Sequence, residues 1–146
     1  MTDGAVRVTR TLKAGPGDVF AAWTDPDRLR RWLMPGPGTV AEAATDPVPG
    51  GSFRFAKLFP SGVDEVTGEY LVVDPPHRLV FTWRSPGTTG GRDSVVTVTL
   101  RPDGDGTEMT IIHERLPAES YQNGAQSAWT AVAGNLDAHL AERCRP

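Results

Sequence analysis

The chain has 146 residues, 38% of them apolar and 23% charged, with a net charge of −3. That length fills one core and calls for a single domain spanning 1–146, and the near-neutral balance leaves no basic field to gather nucleic acid or an anionic membrane surface. The one cysteine, Cys144, excludes an internal disulfide and an all-cysteine metal site. There is no apolar run long enough for a signal peptide or a membrane span, so a soluble cytoplasmic protein is expected.

Residues 6–12 alternate Val6, Val8, Arg10 and Leu12 against Arg7, Thr9 and Thr11, the period of a strand with one face inward. Arg10 falls on the apolar parity, as an edge residue or the partner of a carboxylate would. Gly15 and Pro16 open a short helix that buries Val19, Phe20 and Trp23. Asp25 and Pro26 cap and start a second one, with Leu29, Trp32 and Leu33 as its apolar stripe. Arg28, Arg30 and Arg31 are expected on its solvated face. Residues 34–38, Met-Pro-Gly-Pro-Gly, cannot continue a helix or a central strand and are read as a loop at one mouth of the fold.

Strands and turns follow. Residues 40–45 form a weak strand, closed by a turn rich in proline and glycine, and Phe53, Phe55, Lys57 and Phe59 share one parity of the next. Residues 65–73 make another, and the Asp74-Pro75-Pro76-His77 turn precedes Leu79, Phe81 and Trp83. Residues 85–92 read as a loop, expected to be mobile and to flank the same opening as 34–38. Val96, Val98 and Leu100 mark a strand, 102–106 a hairpin turn, and Met109, Ile111 and His113 the inward parity of the last strand, so Glu114 faces out. From 118 to 144 runs the only extended helical period. Trp129, Val132, Ala133, Leu136 and Leu140 make one stripe, and a helix of that length is roughly 35 Å long, enough to cross a whole sheet. The order of elements argues an α+β fold with helices on one face of a curved antiparallel sheet of six to seven strands.

The arrangement resembles the helix-grip fold of the START and birch-pollen-allergen (SRPBCC) superfamily, in which a sheet curls around a long C-terminal helix. The motifs resemble its bacterial branch related to the activator of the heat-shock protein 90 ATPase: Val19-Phe20-Ala21-Ala22-Trp23-Thr24-Asp25-Pro26, Arg31-Trp32-Leu33, Asp46 with Gly50-Gly51-Ser52-Phe53, Thr67-Gly68-Glu69-Tyr70, Pro75 to Trp83, Gly106-Thr107-Glu108-Met109-Thr110 and the stripe from Trp129 to Leu140. The likeness departs at Ala128, where the family usually has glycine before the tryptophan, and at Ala133, where it usually has leucine. It implies a cavity between helix and sheet. Members bind lipids, sterols, polyketides or plant hormones, some catalyse cyclisations or hydrolyses, and eukaryotic relatives stimulate a chaperone ATPase. No family-wide catalytic residue carries over.

No GxxxxGK[ST], GxGxxG or GxSxG occurs, so no cofactor is expected, and His77, His113 and His139 sit in contexts too unlike for a metal site. The inward parities nominate Trp32, Phe53, Phe55, Tyr70, Phe81, Trp83, Ile111, His113, Trp129 and Val132 as ligand-binding, with Phe59 and Met109 on the same wall and Glu65 or Glu69 as further polar groups. An apolar wall with few polar groups is the make-up of a small-molecule pocket, and equally of a filled core. The leading expectation is a carrier or sensor of an apolar or aromatic small molecule. The rivals are an enzyme, a cyclase, dehydratase or hydrolase with His113 as acid and base, and an interaction module for a chaperone partner. His113 is either met by the ligand or satisfied by protein neighbours. A bare edge strand of the meander would also let two copies pair as a homodimer.

Overall fold

The computed structural model describes residues 5–33 and 39–143; the 34–38 loop and Cys144 lie outside them. In chain order the elements are β1 (Val6–Leu12), α1 (Pro16–Thr24), α2 (Pro26–Trp32), β2 (Thr39–Thr45), β3 (Ser52–Phe59), β4 (Gly62–Asp74), β5 (Arg78–Trp83), α3 (Pro86–Thr89), β6 (Ser94–Asp103), β7 (Gly106–Glu114) and α4 (Glu119–Arg143). The strands form one antiparallel sheet in the order β1-β7-β6-β5-β4-β3-β2, so β1 and β2 are its edges. This is the α+β helix-grip arrangement expected from the sequence. No helix among the described residues is long and apolar enough to cross a membrane.

Curvature arises where the ladder slips. β4 pairs with β3 through its first half and with β5 through its second, with an irregularity between Tyr70 and Val72; a second lies between Ala41 and Ala44 of β2. Each extra residue bends its strand, so the sheet presents a concave face to α4. On that face Trp129, Val132, Ala133, Leu136 and Leu140 are all buried, while Gln126, Ser127 and Thr130 on the opposite side are exposed. Arg10 of β1 pairs with Asp137 of α4 at 3.1 Å and ties the edge of the sheet to the helix.

Asp25 caps α2 as expected, its side chain accepting from the Asp27 amide at 2.9 Å. Arg30 and Arg31 are solvated, but Arg28 is not. It is 8% exposed, bridging Asp18 of α1 at 3.0 Å and His139 of α4 at 3.2 Å. Docking α2 into the angle between two other helices turns one of three consecutive-looking cations inward, which helical period alone does not foretell. The 85–92 segment also differs from the expected loop, since it holds the helical turn α3. Thr89 Oγ1 accepts from the Ser85 amide and bonds the Arg92 carbonyl at 2.6 Å, and both Ser85 and Thr89 are fully buried.

Gly68 is required by close packing. A Cβ there would collide with the Thr82 carbonyl oxygen and with the Phe53 ring, which lies across β4 at this point. Relieving that overlap means displacing an aromatic wall residue, an overpacking cost of about 1–3 kcal/mol. Gly68→Ala is therefore expected to lower the unfolding free energy by about 1–3 kcal/mol, read as a lower urea midpoint at unchanged slope, and an unaltered midpoint would show that the Thr82 carbonyl and the Phe53 ring are not held there.

Candidate functional site

Between α4 and the concave face, aromatic side chains from every layer converge. Trp83 meets Trp129 at 5.4 Å and Phe55 at 5.5 Å between ring centres, and Phe53 meets Phe81 at 5.4 Å and Tyr70 at 5.5 Å. Trp129 thus reaches Trp83, while Trp23 of α1 lies 5.9 Å from Trp129 and 6.3 Å from Phe81. Two adjoining crevices remain. The first, with about 30 Å³ of cavity volume, is lined by Leu33, Lys57, Trp83, His113, Ala125, Ala128, Trp129 and Val132. The second, with about 20 Å³, is lined by Trp23, Leu29, Leu33, Phe53, Phe55, Tyr70, Phe81 and Trp83. Leu33 and Trp83 are the partition between them, and the enclosed part of the first has room for about two water molecules.

Most of the nominated residues line one crevice or the other. Trp32 and Ile111 line neither: Trp32 packs edge-on behind Trp23 at 4.7 Å and donates its indole N–H to the Ala22 carbonyl, and Ile111 is fully buried in the sheet. Phe59, at the far end of β3, is only partly buried. Glu65 and Glu69 are exposed, so the extra polar groups expected there are absent from the wall. Strand β4 turns both outward because its buried positions are Val66 and Tyr70, on the other parity. His77 is an exposed turn residue. Among the described residues no group of three His, Cys, Asp or Glu side chains is placed to hold a metal ion.

His113 is bonded at both ring nitrogens. Trp129 Nε1–H donates to Nδ1 at 3.0 Å, and Nε2 lies 2.7 Å from Ser94 Oγ. Indole nitrogen is only a donor, so Nδ1 carries no proton and the ring is the neutral Nε2–H tautomer. The Ser94 hydroxyl gives its single proton to the Trp83 carbonyl at 2.7 Å, which leaves its oxygen free to accept from His113. The result is an ordered chain from α4 through β7 and β6 to β5. Burial, helped by the nearby Lys57 charge, lowers the His113 pKa to about 4. The histidine faces the crevice, but its acid-base atoms are committed to holding the helix.

Lys57 is the further polar residue on this wall, on the inward parity of β3 that alternation already shows in the sequence. It stands on β3 with Phe55, is 5% exposed, and its Nζ sits 5.2 Å from the centre of the Trp83 ring. Burial lowers its pKa to about 8, with the charge of Asp64 acting the other way. Tyr70, desolvated and near Asp46, has its phenol pKa raised, so it stays neutral. Trp23, buried on the second crevice, has no hydrogen-bond partner for its indole N–H among the described residues.

A curved antiparallel sheet gripping a long helix over a partly open aromatic interior defines the helix-grip class. The sequence profile described as "Activator of Hsp90 ATPase homolog 1-like protein" matches residues 13–141, and the chain belongs to that family of the SRPBCC superfamily. No curated protein matches the chain. Solved structures similar to it include a protein from Chromobacterium violaceum (29% identity, 92% of this chain and 95% of that one, TM-score 0.80). Another is from Rhodobacter sphaeroides (27% identity, 97% and 95%, TM-score 0.82), and a protein from Nitrosomonas europaea shares the fold at 21% identity, over 98% of both chains, with a TM-score of 0.83.

The His113 shift carries a pH dependence. Between pH 6.5 and about 4 the unfolded chain binds a proton at this position that the folded chain refuses, so its stabilisation is full above pH 6.5 and is lost as pH falls toward 4. The loss is on the order of 3 kcal/mol, and in His113→Phe the dependence across that window should shrink by this amount in urea titrations. For Lys57 the folded chain releases its proton first, so stability should rise between about pH 8 and 10.5. Lys57→Met should accordingly be more stable than the wild type at pH 7, by about 1–3 kcal/mol; a destabilised variant would mean the ammonium is well compensated.

Proposed function

We propose that this protein binds an apolar or aromatic small molecule in the space between α4 and the sheet, as a carrier or sensor. The carrying observation is the pair of aromatic-walled crevices under α4, separated only by Leu33 and Trp83 and containing very few polar groups. Ligand sites are of this kind, mostly apolar with one or two groups that fix orientation. Entry requires the partition to move, because the enclosed space is smaller than an aromatic ring system. Leu33 is suited to that movement, as it follows the last residue of α2 and is a flexible aliphatic side chain shared by the two crevices. The engagement of both His113 nitrogens favours binding over general acid–base chemistry, since an acid or base must reach a substrate proton.

The test uses N-phenyl-1-naphthylamine, a neutral dye that fluoresces in apolar sites. Wild-type protein should enhance and saturate its emission at micromolar protein. Ala128→Trp, which fills the first crevice from a half-buried position on α4, should lower dye affinity about tenfold or more while circular dichroism remains unchanged. Equal binding by the two proteins would place the dye elsewhere and remove the support for this site.

A further inference from the structure

Lys57 lies on the inward parity of a strand whose neighbouring inward residue is Phe55, and it ends against an indole face inside the first crevice. A lysine ordinarily lays its stem along apolar surface and carries the ammonium to water. Here the residue is nineteen-twentieths buried, and among the described residues its ammonium makes no ion pair and no hydrogen bond. The acid best placed to neutralise it is Asp64, its cross-strand partner. That carboxylate is turned toward α3 instead, where one oxygen accepts from the Gly87 amide at 3.0 Å and the other from Ser85 Oγ at 3.1 Å. The remaining donors and acceptors on the crevice wall are spent: His113 and the Trp129 N–H are bonded to each other. What is left is a desolvated cation, attracted on one side by the Trp83 ring and open on the other to a cavity walled by aromatic and aliphatic carbon.

Resting on the binding reading above, we propose that the ligand is an aromatic acid, a flat apolar ring system bearing one carboxylate or a group of like acidity, and that Lys57 is the residue that holds its anion. The acid takes the place of the missing counter-ion in a charge-assisted hydrogen bond, and the rings take the apolar remainder of the two crevices. A neutral ligand of the same shape leaves the ammonium as it is, buried and uncompensated. The position also explains why Asp64 is held away, since an internal ion pair would close the site to an anion. At neutral pH the lysine is still protonated, its lowered pKa of about 8 lying above 7.

The experiment compares 2-naphthoate with 2-naphthamide, which share shape and differ in charge, by calorimetric titration of the wild type, Lys57→Met and Lys57→Gln at pH 7. Wild-type protein is expected to prefer the acid by about tenfold or more. Both variants should lose that preference, the ratio of acid to amide affinity falling to about one, and in the wild type the preference should fade as pH rises above about 8. Should one variant fold poorly, the other and the wild-type pH series still decide the matter. Equal binding of acid and amide by the wild type, exclusion of the acid, or a preference that survives in a folded variant overturns the role of Lys57 and leaves the cavity reading standing. Failure of both compounds to bind wild-type protein defeats the cavity reading and this proposal together.

Discussion

One hydrogen bond sets the terms for the rest of the interior, that from the Trp129 indole to Nδ1 of His113. The apolar stripe of α4 would bury comparable area at several rotations and offsets on a greasy sheet, because hydrophobic burial has no direction. A buried indole N–H and a buried imidazole do have one, and each would be costly if left alone. Their pairing fixes the helix against β7, and the relay through Ser94 to the Trp83 carbonyl carries that fixation across β6 to β5. The same bond chooses the histidine tautomer and keeps the ring neutral, so an apparent catalytic residue serves as the key between helix and sheet.

With the histidine neutral, Lys57 is the charged side chain among the described residues that line the first crevice. Its burial beside Trp83, with Asp64 occupied by α3, runs against what a core optimised for stability would carry. Methionine or leucine would fit the same parity between helix and sheet. An ammonium buried on the wall of an aromatic crevice, with no ion pair among the described residues, costs stability, and recognition of an anion is the use we propose for it.

The architecture was legible in the sequence because it rests on local signals: the period of the α4 stripe, Asp25-Pro26 opening α2, and alternation in the strands. The inward faces of β3, β5 and β7 were legible for the same reason. What escaped was decided by contacts distant in sequence. Arg28 turns inward only because Asp18 and His139 arrive from two other helices, and Glu65 and Glu69 face out because β4 buries the opposite parity. Trp32 and Ile111 share the apolar character of the wall and belong to the same core, but line neither crevice. Lys57 was readable by parity between Phe55 and Phe59, but alternation cannot tell an ammonium that stays inside from one that its stem carries out to water. That both His113 nitrogens are taken could not be read from one strand, since the partners lie on β6 and α4.

The most direct measurement is the NMR titration of the Lys57 side chain, followed at Cε and Nζ in selectively labelled protein, with and without saturating 2-naphthoate. Free protein should titrate at about 8, and the bound anion should move that value upward toward or beyond the ordinary lysine range. A free value at the ordinary 10.5, unmoved by the acid, would contradict the account, because it would describe an ammonium already solvated and with no part in the crevice.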